Sequence, residues 1–172
     1  MTVMPRMSPA DESPDRFVAA MAGAATQVSV VTTEGSAGRF GVTVSAFSSV
    51  SAEPPLVLVC INRRSPAVEA IIANGRFCVN LLGTDQSEIA NCFAGRPGAH
   101  VPYDFACADW RVAATGAPVL AQAAASFDCT LHAANDAGTH RIFIGRVQQA
   151  LSQPAAPLAF ANRAYQALSP LS

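Results

Sequence analysis

The chain has 172 residues, a formal net charge of -1, 13% charged and 51% apolar residues. That length fits one domain with a substantial core, and the near-neutral charge with scattered arginines excludes an electrostatic footprint for nucleic acid or acidic membranes. Charged residues are at about half the usual share, which excludes disorder and leaves surface to be buried in an oligomer, most simply a homodimer.

Residues 1–12 are polar and proline-bearing and read as a flexible tail ahead of a domain over 13–168. They lack the apolar run of a signal peptide, and no stretch approaches the ~20 apolar residues of a membrane span, so a cytoplasmic protein is expected. Ser13-Pro14-Asp15 is a helix start, and Phe17, Ala20, Met21 and Ala24 follow at helical spacing. The runs 27–34 and 39–50 are β-rich and separated by GSAG, a hairpin signal. PLVLVCIN (55–62) reads as a buried strand, 65–75 as a short helix stopped by Gly75, and 76–82 as another strand.

TDQSEIANCFAG (84–95) looks helical, and 96–110 reads as an irregular loop of the length that often carries function. Residues 126–136 and 139–151 form a hairpin around Ala137 and Gly138, and the tail from 153 is punctuated by proline and carries Phe160, Arg163 and Tyr165. Strands outnumber helices and are joined by hairpins or brief helices, which predicts an all-β-dominated antiparallel barrel.

All eleven basic residues are arginine, so Schiff-base and lysine-nucleophile chemistry are excluded. No GxSxG elbow, Walker motif or GxGxxG fingerprint is present. The three histidines, five cysteines and dispersed acids show no metal, disulfide or paired-carboxylate spacing. Such an inventory fits a binding module or an enzyme whose reactive atoms belong to a cofactor. The hydroxyl-rich GVTVSAFSSVS (41–51) offers small donors and open backbone to a flat polar ligand, and Asn62-Arg63-Arg64-Ser65 leads two guanidinium groups into a helix start, an anion site. The same residues also suit the exposed face of an edge strand and a solvated turn.

In order and spacing, FVAAMAGAATQVSVVTT, GVTVSAFSSVSAEPPLVLVCINRRS, GRFCVNLL, GAPVLAQAAASFDCTL and GTHRIFIGRV resemble the flavin reductase-like proteins. That family has an FMN-binding split barrel and includes the small reductase components of two-component flavin monooxygenases. The resemblance implies a homodimeric, six-stranded antiparallel Greek-key split barrel with short flanking helices. It also implies hydride transfer from NADH or NADPH to FMN, or FAD, with reduced flavin passed to a flavin-dependent monooxygenase or another acceptor. Thr43, Val44 and Ser45 match the segment against the flavin ring, Ser49 and Ser51 the hydroxyls toward its ribityl phosphate, and Asn62, Arg63 and Ser65 the phosphate loop. Gly138-Thr139-His140 matches a motif that places a histidine at the nicotinamide, and Phe160, Arg163 and Tyr165 match a covering C-terminal segment. The family often has aspartate at the position of Thr139 and FYRG where this chain reads FANR. Two other readings keep the flavin: transfer to a dedicated acceptor, such as a corrinoid or an oxygenase of pyrimidine breakdown, whose subgroup NRRS and FCVN resemble, and a non-catalytic flavin-binding module.

Overall fold

A computed structural model of the chain describes residues 13–98 and 100–169; the tail expected over 1–12 lies outside them. In chain order the elements are α1 (Pro14–Ala22), β1 (Thr26–Gln27), β2 (Ser29–Thr33), β3 (Phe40–Val44), β4 (Phe47–Ala52), β5 (Pro55–Asn62), α2 (Ala67–Asn74) and β6 (Arg76–Leu81). They continue with α3 (Ser87–Phe93), a 3₁₀ turn at Phe105–Cys107, β7 (Trp110–Val112), β8 (Pro118–Leu120), β9 (Ala125–Ala137), β10 (His140–Ser152), β11 (Leu158–Ala161) and β12 (Ala164–Ala167). The antiparallel main sheet runs β3-β2-β6-β9-β10-β5-β4, with β1-β11-β12 and β7-β8 as two smaller sheets.

The run 39–50, expected as one strand, breaks at Ser45–Ala46 into β3 and β4. This break accounts for the main sheet holding seven strands among the described residues against the six expected. It also closes the barrel. β3 and β4 are the two edges of that sheet, which laid flat would stand roughly 29 Å apart at ~4.8 Å per strand. Three Cα steps from Val44 to Phe47 span at most about 11 Å. The sheet therefore curls to bring its edges together, and the Cys60 N–H donates to the Ala46 carbonyl at 3.1 Å, carrying the β4–β5 ladder up to the bridge.

Closure puts Val31, Val44, Val57, Val59, Ile61, Phe77, Val79 and Phe143 in one apolar interior, capped by Val68 and Ile71 of α2. β5 alternates, with Val57, Val59 and Ile61 buried. β2 is buried along its whole length because it is covered twice: Val31 faces the barrel, whereas Val30 joins Val28, Leu82, Phe93 and Leu158 in a second core outside it. Two glycines make room for this packing. A Cβ at Gly145 would stand 2.5 Å from the Phe77 ring and 2.7 Å from Cys129, and one at Gly41 2.5 Å from Phe93.

One buried polar residue ties the two layers. Asn80, fully buried, donates to the Val30 carbonyl (3.1 Å) and the Thr32 hydroxyl (3.2 Å) and accepts from the Leu120 N–H (2.9 Å) and the Ser126 hydroxyl (3.1 Å). It thereby pins β8, a strand beyond the loop expected over 96–110, onto β2, β6 and β9. By contrast α1 forms as expected, yet none of its residues is buried. Phe17, Val18 and Met21 are 67%, 49% and 49% exposed in the single chain. Among the described residues no helix is long and apolar enough to cross a membrane.

Replacing Asn80 by Ala strands two buried donors and two acceptor partners, so Asn80→Ala is expected to cost about 3 kcal/mol. Urea unfolding followed by circular dichroism measures it, and a loss below about 1 kcal/mol would show that water or repacking satisfies those groups.

Candidate active site

The seam at Ser45–Ala46 is also where the chemistry-bearing residues gather. β3 pairs only with β2, so alternate backbone N–H and C=O groups of β3 point away from the sheet, as on any edge strand. Two clefts open beside this edge and share Thr43, Val44 and Ser45 as a common wall. One, of about 210 Å3, continues along Ala46, Cys60, Asn62 and His140. The other, of about 160 Å3, is completed by Val28, Ala94, Arg96, Phe160 and Tyr165. Asn62 carries the first cleft onward into a polar one of about 550 Å3 lined by Arg63, Arg64, Val68, Glu69, Gly138, Thr139 and Arg141.

Strand register brings His140 there. Gly138, at φ 57°, makes the β9–β10 turn with Thr139, one residue later than the hairpin expected around 137 and 138. His140 becomes the first residue of β10, and Asn62, the last of β5, lies opposite it. The Thr139 hydroxyl sits 3.0 Å from His140 Nδ1. Nε2 has no partner among the described residues, and His140 lines the first cleft.

The loop after β5 is built by its own hydrogen bonds. Asn62 Oδ1 accepts from the Arg64 N–H at 3.0 Å, the Arg63 N–H donates to the Thr139 carbonyl at 3.0 Å, and Ser65 Oγ accepts from the Ala67 N–H at 3.4 Å. Ser65 thus faces the start of α2 and lines none of these clefts. Arg63 is 3.6 Å from Asp136, and Arg141 is paired with Asp136 (2.6 Å) and Glu69 (3.3 Å). The hydrogen bond from Arg141, helped by the charges of Arg141 and Arg63, holds the Asp136 carboxyl below its usual value. Arg64 has no carboxylate within 4 Å among the described residues, and its guanidinium is open to an anion.

On the other side, Phe160 and Tyr165 are cross-strand partners in the β11–β12 hairpin, with ring centroids 5.6 Å apart in an edge-to-face arrangement. Arg163 does not join them: with Asn162 it forms the hairpin turn, both at positive φ (51° and 62°), and its side chain is exposed. The guanidinium beside these rings belongs instead to Arg96, 5.9 Å from the Phe160 centroid and 6.0 Å from that of Tyr165. In sequence Arg96 is simply the first residue of the irregular stretch 96–110, with no motif to mark it. Burial pushes the Tyr165 phenol up despite Arg96, and its hydroxyl donates to Asn91 Oδ1 at 3.0 Å.

Ser49 and Ser51 lie elsewhere. They pair with Val57 and Leu56, five residues or more before Asn62, which is about 17 Å along β5 at ~3.4 Å per residue. A tail leaving a ring at Ser45 can run toward Ser49 and Ser51 or toward Asn62 and Arg63, but one chain does not bring both sets to one phosphate.

The donor set fits a flat heteroaromatic ligand with an anionic tail: open backbone donors and acceptors at the edge of β3, small side chains beside them, and an unpaired guanidinium within the adjoining cleft. Fold and site together define an antiparallel barrel with clefts of this character at its seam. The chain belongs to the flavin reductase-like domain family, whose model matches residues 21–169. It is 44% identical over 144 residues to "FMN reductase (NADH) RutF" of Bradyrhizobium diazoefficiens, covering 83% of this chain and 78% of that one. Among solved structures it resembles the NADH:FAD oxidoreductase SgcE6 of Streptomyces globisporus C-1027 in complex with NAD and FAD fragments, with TM-score 0.83, 29% identity and coverage of 96% and 98%. It also resembles BorF, the flavin reductase component of a bacterial two-component tryptophan halogenase, with TM-score 0.81, 31% identity and coverage of 91% and 99%.

All five cysteines are free thiols, and burial raises Cys60 and takes Cys107 and Cys129 to about 12. Cys60 and Cys107 are the two partly exposed ones. Their alkylation by iodoacetamide is expected to climb nearly tenfold per pH unit from 7 to 9, because the thiolate fraction keeps rising below a raised pKa. A plateau before pH 9, read by mass spectrometry, would contradict these environments.

Proposed function

We propose that the seam of the barrel binds FMN, with FAD as the alternative, and that the protein is an NADH-dependent flavin reductase. The observation that carries this reading is the meeting of the open β3 edge at Thr43–Ser45 with His140 in one cleft, continuous through Asn62 with the arginine-lined one. Backbone groups of Thr43, Val44 and Ser45 hold the polar edge of the ring. The tail takes the Asn62–Arg64 direction, where Arg64 is unpaired and Arg63 is tethered only by a 3.6 Å contact with Asp136. Ser65 supports that loop by starting α2. Ser49 and Ser51 flank the opposite path.

The chemistry that bound FMN supplies is acceptance of a hydride from the dihydronicotinamide, which requires no acid, base or nucleophile from the protein. This agrees with a site whose side chains only bind and orient. Thr139 fixes the His140 ring through Nδ1, leaving Nε2 to hydrogen-bond the nicotinamide carboxamide. Val28 and Val44 give the rings an apolar floor to lie on.

The reduced flavin serves a partner, a flavin-dependent monooxygenase or another acceptor; both clefts are open to solvent, which suits exchange. A purely binding role would leave His140 without a task. The active form is a homodimer in the cytoplasm. The unburied apolar side of α1 supports the first part, and five unpaired cysteines support the second.

Purified protein is expected to bind FMN and to consume NADH, followed at 340 nm, when flavin is added. His140→Ala is expected to raise KM for NADH about tenfold, roughly the loss of one hydrogen bond to a polar group, and to change the FMN dissociation constant less than twofold. Absence of flavin binding and of NADH consumption would remove the reductase reading, whereas a His140→Ala defect confined to FMN affinity would remove the role given to His140.

A further inference from the structure

We infer that Arg96 grips the pyrophosphate of the nicotinamide dinucleotide, in the cleft walled by Phe160 and Tyr165. This assignment rests on the reductase reading above. A reaction between a nicotinamide dinucleotide and a flavin nucleotide brings two anionic tails to one pair of stacked rings, and like charges favour separate exits. The seam offers two cationic ends on opposite sides of Thr43–Ser45. Arg63 and Arg64 lie beyond Asn62 on one side, and Arg96 lies on the other. With the flavin phosphate in the Asn62–Arg64 direction, the remaining cation is Arg96.

Its surroundings are built rather than incidental. Gly95 sits at φ 67° after α3. The Gly95 N–H donates to the Cys92 carbonyl at 3.2 Å and the Arg96 N–H to the Asn91 carbonyl at 3.0 Å, the paired bonds of a Schellman helix end. These bonds fix the direction in which Arg96 leaves the helix. The positive φ favours glycine there, and a Cβ at Gly95 would also meet the Tyr103 side chain. Asn91 also accepts the Tyr165 hydroxyl at 3.0 Å, and the neighbouring Ala90 carbonyl accepts the Thr43 hydroxyl at 2.8 Å. The last turn of α3 therefore fastens together the ring shelf, the aromatic wall and the origin of the Arg96 side chain.

The guanidinium itself is unspent. Among the described residues it has no carboxylate within 4 Å and no hydrogen-bond acceptor, and its ring contacts near 6 Å lie at the outer limit of cation–π attraction. Its five donors match two adjacent phosphate groups better than an ammonium would. At about 160 Å3 the cleft accommodates one segment of a dinucleotide rather than the whole.

The test compares wild type, Arg96→Ala and Arg96→Lys with two hydride donors, NADH and dihydronicotinamide riboside, which has the same reacting ring and no phosphate. Arg96→Ala is expected to lower kcat/KM for NADH about tenfold, almost entirely through KM, and to leave the riboside unchanged. Arg96→Lys is expected to recover part of the loss, and the FMN dissociation constant to stay within twofold. ADP-ribose binding, measured by calorimetry on the same proteins, is expected to weaken about tenfold in Arg96→Ala. Equal loss with both donors, no loss with either, or a defect confined to FMN overturns the assignment. If wild type oxidises neither donor, the reductase reading fails on its own, and ADP-ribose binding unaffected by Arg96→Ala then overturns the role of Arg96 as well.

Discussion

Two residues, Ser45 and Ala46, join strands that stand at opposite edges of the main sheet. Everything distinctive about the molecule follows from that short bridge. A flat sheet cannot satisfy it, so the sheet closes and encloses the Val, Ile and Phe core. Closure is incomplete at the seam, because β3 keeps β2 as its only neighbour and its outer backbone groups stay unpaired. An unpaired edge is a liability in most proteins; here it is short and flanked by clefts, and in the proposed function a planar polar ligand completes its hydrogen bonding.

The second constraint is the last turn of α3. Thr43 binds its Ala90 carbonyl, Tyr165 binds the Asn91 side chain, and the Arg96 backbone closes on the Asn91 carbonyl. Gly41 allows Phe93 to lie against β3, and Phe93, Phe105 and Trp110 pack edge-to-face at centroid distances of 5.0–5.6 Å behind it. A rigid joint behind a cleft holds the two sides of the ring shelf in register. That suits hydride transfer, where alignment of two rings accounts for most of the rate and the cofactor supplies the reactivity.

Much of this was legible in the residues. β5 occupies the run PLVLVCIN from Pro55 to Asn62, and α2 ends at Gly75 with φ 66°, as its start and stop signals imply. His140 and the Thr43–Ser45 segment were singled out from motif order, and the structure brings them into one cleft. The seam was not legible, because the pattern through Ser45-Ala46-Phe47 continues as a strand and only tertiary closure breaks it. The β11–β12 hairpin was hidden because Asn162-Arg163 takes positive φ without a glycine to mark the turn. Arg96 was missed for a related reason: its partners Phe160 and Tyr165 are distant in the chain, and only the Schellman end at Gly95 aims it toward them. Motif matching had placed the cation at Arg163 and had grouped Ser49 and Ser51 with Asn62 and Arg63, which strand register separates.

The central claim is that the open edge at the barrel seam receives the flavin ring, and amide NMR with FMN titrated into ¹⁵N-labelled protein tests it most directly. The account predicts the largest shifts at Val42–Ala46, Asn62–Arg64 and His140, with β7 and the end of the β9–β10 pair at Ala125 and Ser152 unmoved. Shifts concentrated at residues 111–126, with Thr43–Ala46 silent, would contradict it.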